Sequence, residues 1–257
     1  MKESNSFFSL TDKTIIVTGA SSGIGRQCAI SLSQLGAKVI LFGRDTKRLE
    51  ETLSLMDKFQ KHHLFAIDLL KYEKLEIVLD DLHTRSIIID GIVNCAGIST
   101  TLPFRRVTPE KMELFLQNNV TISFNFCRLI LQKKLISAKG GSIIFISSIM
   151  GVVGETGKML YGMTKGALIA GAKSLAIELA RKKIRVNCIS PGVVKSPMSD
   201  SAIYSKDDES LDKIEKLHPL GLGKVEDVAN SCVFLLSDAS RWITGSNLIL
   251  DGGYTAR

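Results

Sequence analysis

Seven short β-branched runs recur along the chain: TIIVT at Thr14, KVILF at Lys38, HLFAI at His63, GIVNC at Gly91, SIIFIS at Ser142, IRVNCIS at Ile184 and NLILD at Asn247. Helical stretches separate them. Runs that are apolar almost throughout, rather than alternating, are strands covered on both faces, and strands alternating with helices build a parallel sheet. The expected fold is therefore α/β and Rossmann-like: a doubly wound parallel sheet of about seven strands with helices on both faces. No linker or low-complexity tract divides it, so residues 1–257 are expected to form one domain. Only residues 196–223 break the rhythm. They are polar and charged, follow a strand end and close on PLGLG, and so are expected to form a substrate lid.

The first strand runs directly into TGASSGIG, residues 18–25, and then into a helical repeat of Ile24, Cys28, Leu32 and Leu35 that stops at Gly36. Glycine serves where backbone must adopt positive φ or approach something closely. A glycine-rich turn opening a helix also aims N–H groups outward at the positive end of the helix dipole. The turn is a candidate phosphate site. Its G-x-x-x-G-x-G spacing matches neither G-x-G-x-x-G nor the Walker sequence, so taken alone it also suits a plain tight connection.

Composition excludes several classes. The five cysteines, Cys28, Cys95, Cys127, Cys188 and Cys232, are dispersed in apolar runs without a C-x-x-C pair, and read as core thiols of a reducing compartment. His62, His63, His83 and His218 lack metal-ligand spacing and are expected at the surface or at caps, so no metal is expected. The net charge of +7 is spread over helix surfaces among acidic residues, which argues against a nucleic-acid interface. The N-terminal residues lack a signal-peptide core, and the longest uncharged stretch, residues 142–154, is too short and glycine-rich to span a bilayer. A soluble cytoplasmic protein is expected, with no membrane partner.

Tyr161 and Lys165 stand four residues apart in an expected helix and so share one face. An ammonium beside a phenol favours the phenolate, which suits Tyr161 to exchange a proton with a substrate oxygen. The strand before that helix ends at Ser147 and Ser148, on the sheet edge where such folds bind ligands.

Taken in order, TGASSGIG, NCAG at residues 94–97, Asn119 in NNVTISF, Ser148 thirteen positions before Tyr161, Lys165, SPGVVKSPM and ITGSNLILDGG resemble the short-chain dehydrogenase/reductase family from about Asp12 to Gly253. The resemblance implies that Gly19, Ser21, Ser22, Gly23, Ile24 and Gly25 wrap a cofactor pyrophosphate. It implies that Ser148 hydrogen-bonds the reacting oxygen, Tyr161 supplies the proton, and Lys165 lowers the Tyr161 pKa and holds the nicotinamide ribose. Asn119 would interrupt its helix and hold a water leading from Lys165 to solvent. Asn94, Ala96 and Gly97 would line the adenosine and nicotinamide side, Asp68 and Leu69 would flank the adenine, and Pro191, Gly192, Val193 and Ser196 would seat the nicotinamide. Cys95 and Ser196 replace the Asn and Thr that the family often carries.

Alternatives exist at several of these positions. Ser147 competes with Ser148, and the spacing to Tyr161 selects Ser148. Asn118 competes with Asn119. Asp68 also suits a helix N-cap. Arg105 and Arg106 suit solvated loop charges. At the end of the second strand, Gly43 offers no carboxylate to a ribose 2′-OH, while Arg44 suits a 2′-phosphate, with Lys47 and Arg48 adding positive potential. Asp45 reads as an N-cap. NADP is thus the expected cofactor.

The pattern is most similar to bacterial 3-oxoacyl-[acyl-carrier-protein] reductases of fatty acid biosynthesis, with Lys139 and Lys182 where those reductases meet an acidic carrier protein. The alternatives are a sugar, polyol or small alicyclic ketone as substrate, and a non-catalytic dinucleotide-binding regulator. The apolar helical stretches, residues 112–131 and 166–180, suggest burial against a second copy, and the resemblance implies a homotetramer or a dimer.

Overall fold

The computed structural model describes residues 7–200 and 208–256. Its seven strands are β1 (Thr14–Thr18), β2 (Lys38–Gly43), β3 (His63–Ala66), β4 (Gly91–Asn94), β5 (Gly141–Ile146), β6 (Ile184–Pro191) and β7 (Asn247–Leu250). They form a single sheet in the order β3-β2-β1-β4-β5-β6-β7, and every neighbouring pair is parallel.

Side-chain alternation assigns each strand's residues to two cores. Ile16, Ile40, Phe42, Ile92, Ile143, Phe145 and Val186 face α3 (Tyr72–Thr84), α5 (Ile122–Gln132) and α6 (Met159–Leu179), meeting Leu75, Phe126 and Leu168. Ile15, Val17, Val39, Leu41, Val93, Ile144 and Ile189 face α1 (Gly23–Gln34), α2 (Thr46–Leu55) and α9 (Val225–Leu236), meeting Leu32, Leu49 and Val228. Both faces are therefore dry. That is why the strand sequences read as continuous apolar runs.

Strand order reverses between β1 and β4, so the loops after these strands part and leave a crevice at their C-terminal ends. Above it the expected lid contributes α7 (Pro197–Asp200) and α8 (Asp208–Lys216), while residues 201–207 of the lid lie outside the described residues. A bridge pairing Val194 with Gly223 closes the base of this cover.

Between α4 (Pro109–Leu116) and α5, residues Gln117–Thr121 form one π-helical turn. Helix α6 buries Leu160, Leu168, Ala172 and Ala176 yet leaves Ile177 77% exposed, so its apolar character exceeds what the sheet covers. Among the described residues no helix is long and apolar enough to cross a membrane.

Candidate active site

The glycine turn meets two separate backbone demands. Gly19 and Gly23 adopt φ of +67° and +53°, the left-handed region that side chains resist. At Gly25 the demand is space: a Cβ there would lie 2.3 Å from the Gly19 carbonyl oxygen. The turn can thus fold tightly onto the start of α1. Ser22 precedes that helix without a side-chain cap, which leaves first-turn amides without a side-chain acceptor. Thr18 fixes the neighbouring loop, its Oγ1 accepting from the amides of Cys95 and Ala96, both at 3.2 Å. From behind, the Thr52 hydroxyl donates to the Ala20 carbonyl at 2.9 Å, and Arg26 donates to the Ser21 carbonyl at 2.8 Å while pairing with Glu51 at 2.9 Å. Arg26 and Thr52 carried no motif, and only the fold brings α2 against the turn.

A cleft of about 520 Å3 runs along the C-terminal edge of the sheet. In strand order, Asp68 and Leu69 follow β3, Arg44 follows β2, the glycine turn follows β1, Cys95, Ala96 and Gly97 follow β4, Ser147 and Ser148 follow β5, Pro191 ends β6, and Gly192 and Val193 follow it; all line it. Ser196, Met198, Ser210 and Ile214 line it from the cover. Tyr161 and Lys165 reach it from α6.

Lys165 is 5% exposed; its Nζ donates to the Ile146 carbonyl at 2.8 Å and lies 5.5 Å from the centre of the Tyr161 ring. Burial pushes its pKa down to about 8, against a smaller opposing effect from Cys95 and Cys188. At neutral pH the ammonium therefore remains mostly charged beside the phenol. Close packing fixes α6: a Cβ on Gly162 would lie 2.6 Å from the Met150 carbonyl oxygen, and the Ser147 hydroxyl donates to the Lys165 carbonyl at 2.8 Å. Ser147 thus holds a helix in place, whereas the Ser148 Oγ accepts from the Met150 amide at 3.2 Å at the cleft wall.

Asn119 sits in the π-helical turn and is fully buried. Its Oδ1 accepts from the Ile98 amide at 2.7 Å, and its Nδ2 donates to the Ile98 carbonyl and to Thr164 Oγ1, at 3.0 and 2.9 Å. It ties the loop after β4 to the turn of α6 between Tyr161 and Lys165. Asn118, not Asn119, lines the cleft.

Several expectations change. Asn94 does not line the cleft: its amide turns inward to the Ile144 carbonyl and Cys127, satisfying a buried polar group within the sheet. Asp68 is not the N-cap of α3; its carboxylate accepts from the Leu70 amide in a tight local turn at the cleft edge. Asp45 does cap α2, accepting from the Arg48 amide at 3.1 Å, which leaves the exposed Arg44 as the cation of that strand end in the cleft. Arg105 and Arg106 are exposed outside it.

Lys139 and Lys182 stand before β5 and β6, at the sheet edge opposite the cleft. At about 3.3 Å per residue, the six residues of β5 and the eight of β6 put them roughly 20 Å and roughly 26 Å away. They cannot meet a substrate arm entering the same chain's cleft. His218 is 3% exposed rather than at the surface, because its ring fills the space between the cover and the end of β6.

Cys28, Cys127, Cys188 and Cys232 are buried, and burial raises the Cys127 and Cys188 thiols to about 12. Cys95 is half-buried at the cleft, where a hydrogen bond with Cys28 and burial also hold it up, so it is no thiolate nucleophile. No cluster that could hold a metal ion occurs among the described residues. Three cleft residues carried no sequence signal. Lys158 donates to the Thr100 carbonyl at 3.4 Å, and the Tyr254 hydroxyl donates to Glu155 at 3.0 Å.

A family model described as enoyl-(acyl carrier protein) reductase matches residues 19–255. The 3-oxoacyl-[acyl-carrier-protein] reductase FabG of Chlamydia trachomatis is 34% identical over 247 residues, covering 95% of this chain and 98% of that protein. Carbonyl reductase family member 4 of Xenopus laevis is 35% identical over 242 residues, covering 94% and 97%. The crystal structure of a gluconate 5-dehydrogenase from Burkholderia cenocepacia, in complex with NADP and tartrate, superposes with a TM-score of 0.89 at 25% identity, covering 97% of this chain and 98% of that one.

Proposed function

Because the chain belongs to the short-chain dehydrogenase/reductase family, we propose that it binds NADPH in this cleft and interconverts a carbonyl group and a secondary alcohol. The observation that carries the reading is convergence: Ser148, Tyr161 and Lys165 share one cleft with the glycine turn. The cofactor fits this wall. The missing Cβ atoms of Gly19 and Gly25 let the turn fold tightly at the head of α1, where a pyrophosphate can meet backbone, and Arg44 offers a planar donor for a 2′-phosphate. When bound, the nicotinamide supplies or accepts the hydride.

The residues of this chain handle position and proton. Ser148 donates to the substrate oxygen and orients the carbonyl. Tyr161 passes its phenolic proton to that oxygen during reduction and takes it back during oxidation. The Lys165 ammonium stabilises the resulting phenolate. Lys165 also meets the ribose, while Asn119 keeps the loop after β4 and α6 in register around both groups. Asp68 and Leu69 flank the adenine, and Pro191, Gly192, Val193 and Ser196 wall the nicotinamide. The cover, described at residues 196–200 and 208–223, closes over the substrate as part of the same single domain.

For the substrate, the full-length similarity to 3-oxoacyl-[acyl-carrier-protein] reductases supports a 3-oxoacyl thioester on a carrier, in fatty acid synthesis in the cytoplasm. A polyhydroxylated acid is the second reading. Lys158 favours it: burial lowers its pKa, Glu155 only partly opposes this, and its one hydrogen bond to the Thr100 carbonyl leaves donors for a carboxylate. The exposed apolar residues of α4 and α6, Leu114, Met163 and Ile177, support assembly as a dimer or tetramer. NADPH oxidation measured against acetoacetyl thioesters, keto-sugar acids and alicyclic ketones tests the reading. Turnover of the thioester supports the first reading, turnover of the sugar acid alone selects the second, and binding without turnover of any carbonyl overturns catalysis.

A further inference from the structure

His218 lies in the cover, outside every motif, and its ring makes two hydrogen bonds with fixed roles. The Val193 backbone N–H can only donate, so Nε2, at 3.1 Å, must be the acceptor. The Ile214 carbonyl can only accept, so Nδ1, at 2.8 Å, must carry the proton. The pair defines the neutral Nδ1–H tautomer. Both partners line the cleft: Ile214 on α8 and Val193 after β6. There is no slack around the ring. A Cβ on Gly192 would lie 2.9 Å from Nε2, the ring is 3% exposed, and the Tyr254 ring packs 5.0 Å from it.

We propose that neutral His218 is a positioning residue, coupling the cover helix α8 to the cofactor-facing backbone at Val193 and releasing that coupling when the ring is protonated. Protonation puts an N–H on Nε2, pointing at the N–H of Val193. Acceptor becomes donor and the tie is lost. Charged groups on the surrounding elements are Asp251 at the end of β7, Glu215 and Lys216 on α8, Lys195 after β6, and Glu155 through Tyr254. Asp251 interacts electrostatically with the ring. Partial burial works to raise its carboxyl, but hydrogen bonds from Thr255 and Gly253 leave it below the ordinary carboxylate range. Asp251 is therefore held in its ionised form beside the ring.

The proposal rests on the cofactor reading above, so its test includes a readout that needs no cofactor. His218→Gln keeps an acceptor near Val193 that does not titrate. His218→Phe keeps a ring against Tyr254 and removes both hydrogen bonds. Hydrogen exchange of the apo protein, corrected for intrinsic rates, should show protection at Val193 and across residues 208–216 falling from pH 8 to pH 5.5 in the wild type. His218→Gln should hold its protection over that range, and His218→Phe should be low throughout. NADPH dissociation constants should follow, with the wild type losing roughly fivefold more affinity than His218→Gln over the same range, the effect of one hydrogen bond. Titration of the cofactor's own phosphate is common to all variants and cancels in that ratio. An acid limb of exchange equal in wild type and His218→Gln, or wild-type protection in His218→Phe, overturns the proposal. Failure of the wild type to bind NADPH overturns the cofactor reading instead and leaves the exchange result standing.

Discussion

The floor and the cover of the cleft are built by different means. The floor, from the glycine turn to Ser148 and α6, is held by backbone: positive-φ glycines, absent Cβ atoms and strands buried on both faces. The cover, described at residues 196–200 and 208–223 together with the C-terminal turn, is held by side chains from distant positions, His218 on Val193 and Tyr254 on Glu155. Floors made of backbone present one geometry. A cover held by a few polar contacts can open more readily than a floor of backbone.

The largest effect should come from Lys165→Met. Turnover should fall by at least about 100-fold, the scale of losing acid–base assistance. Stability of the apo protein should move the other way. With its folded pKa near 8 against an ordinary 10.5, buried Lys165 costs stability at neutral pH. Above pH 8 the unfolded chain binds more protons than the folded one, so that cost shrinks as pH approaches 10.5. Lys165→Met should therefore unfold at higher denaturant concentration than wild type at pH 7, with the gap closing by pH 10.5 in the same titration. A variant less stable than wild type at pH 7 would show that the floor depends on this charge.

Arg44→Ala should come next, weakening NADPH by one to two decades, on the order of 1.5–3 kcal/mol for a charge-assisted bond, with little change for NADH. Fluorescence titration with both cofactors checks it, and equal losses would remove Arg44 from phosphate recognition.

The smallest effect contrasts the two regions directly. Gly25→Ala meets the Gly19 carbonyl at 2.3 Å and should cost about 1–3 kcal/mol together with cofactor affinity. Gly221→Ala in the cover meets nothing nearer than 4.0 Å, so only the strain of its φ of +78° remains, about 1–2 kcal/mol, and affinity should survive. Urea unfolding and NADPH titration of both variants separate the cases; equal loss of affinity would erase the distinction.

This division also explains what the sequence revealed. The sheet was legible because apolar runs and glycine spacing are local patterns; that Ser148, Tyr161 and Lys165 meet at one cleft was legible because one strand end and one helix turn carry all three, while their full roles came only with the family resemblance. Arg26, Thr52, Lys158, Glu155 and Tyr254 carried no signal, since each matters only through a partner that folding brings near. Asn94 and His218 were misplaced for the same reason. Nothing within the motif NCAG says that the Asn94 amide turns toward Ile144, and nothing within HPLGLG says that its histidine is walled in by Gly192. Lys139 and Lys182 fall away from the cleft of their own chain, because a position just before a strand lies at the opposite edge of the sheet.

The central claim is that the floor positions a proton donor independently of cofactor binding. Removing only the Tyr161 hydroxyl in Tyr161→Phe isolates it, with NADPH affinity and carbonyl turnover measured on the same preparation. The account predicts a dissociation constant within about twofold of wild type and turnover reduced at least about 100-fold. Turnover near wild type, with NADPH still bound, would contradict it.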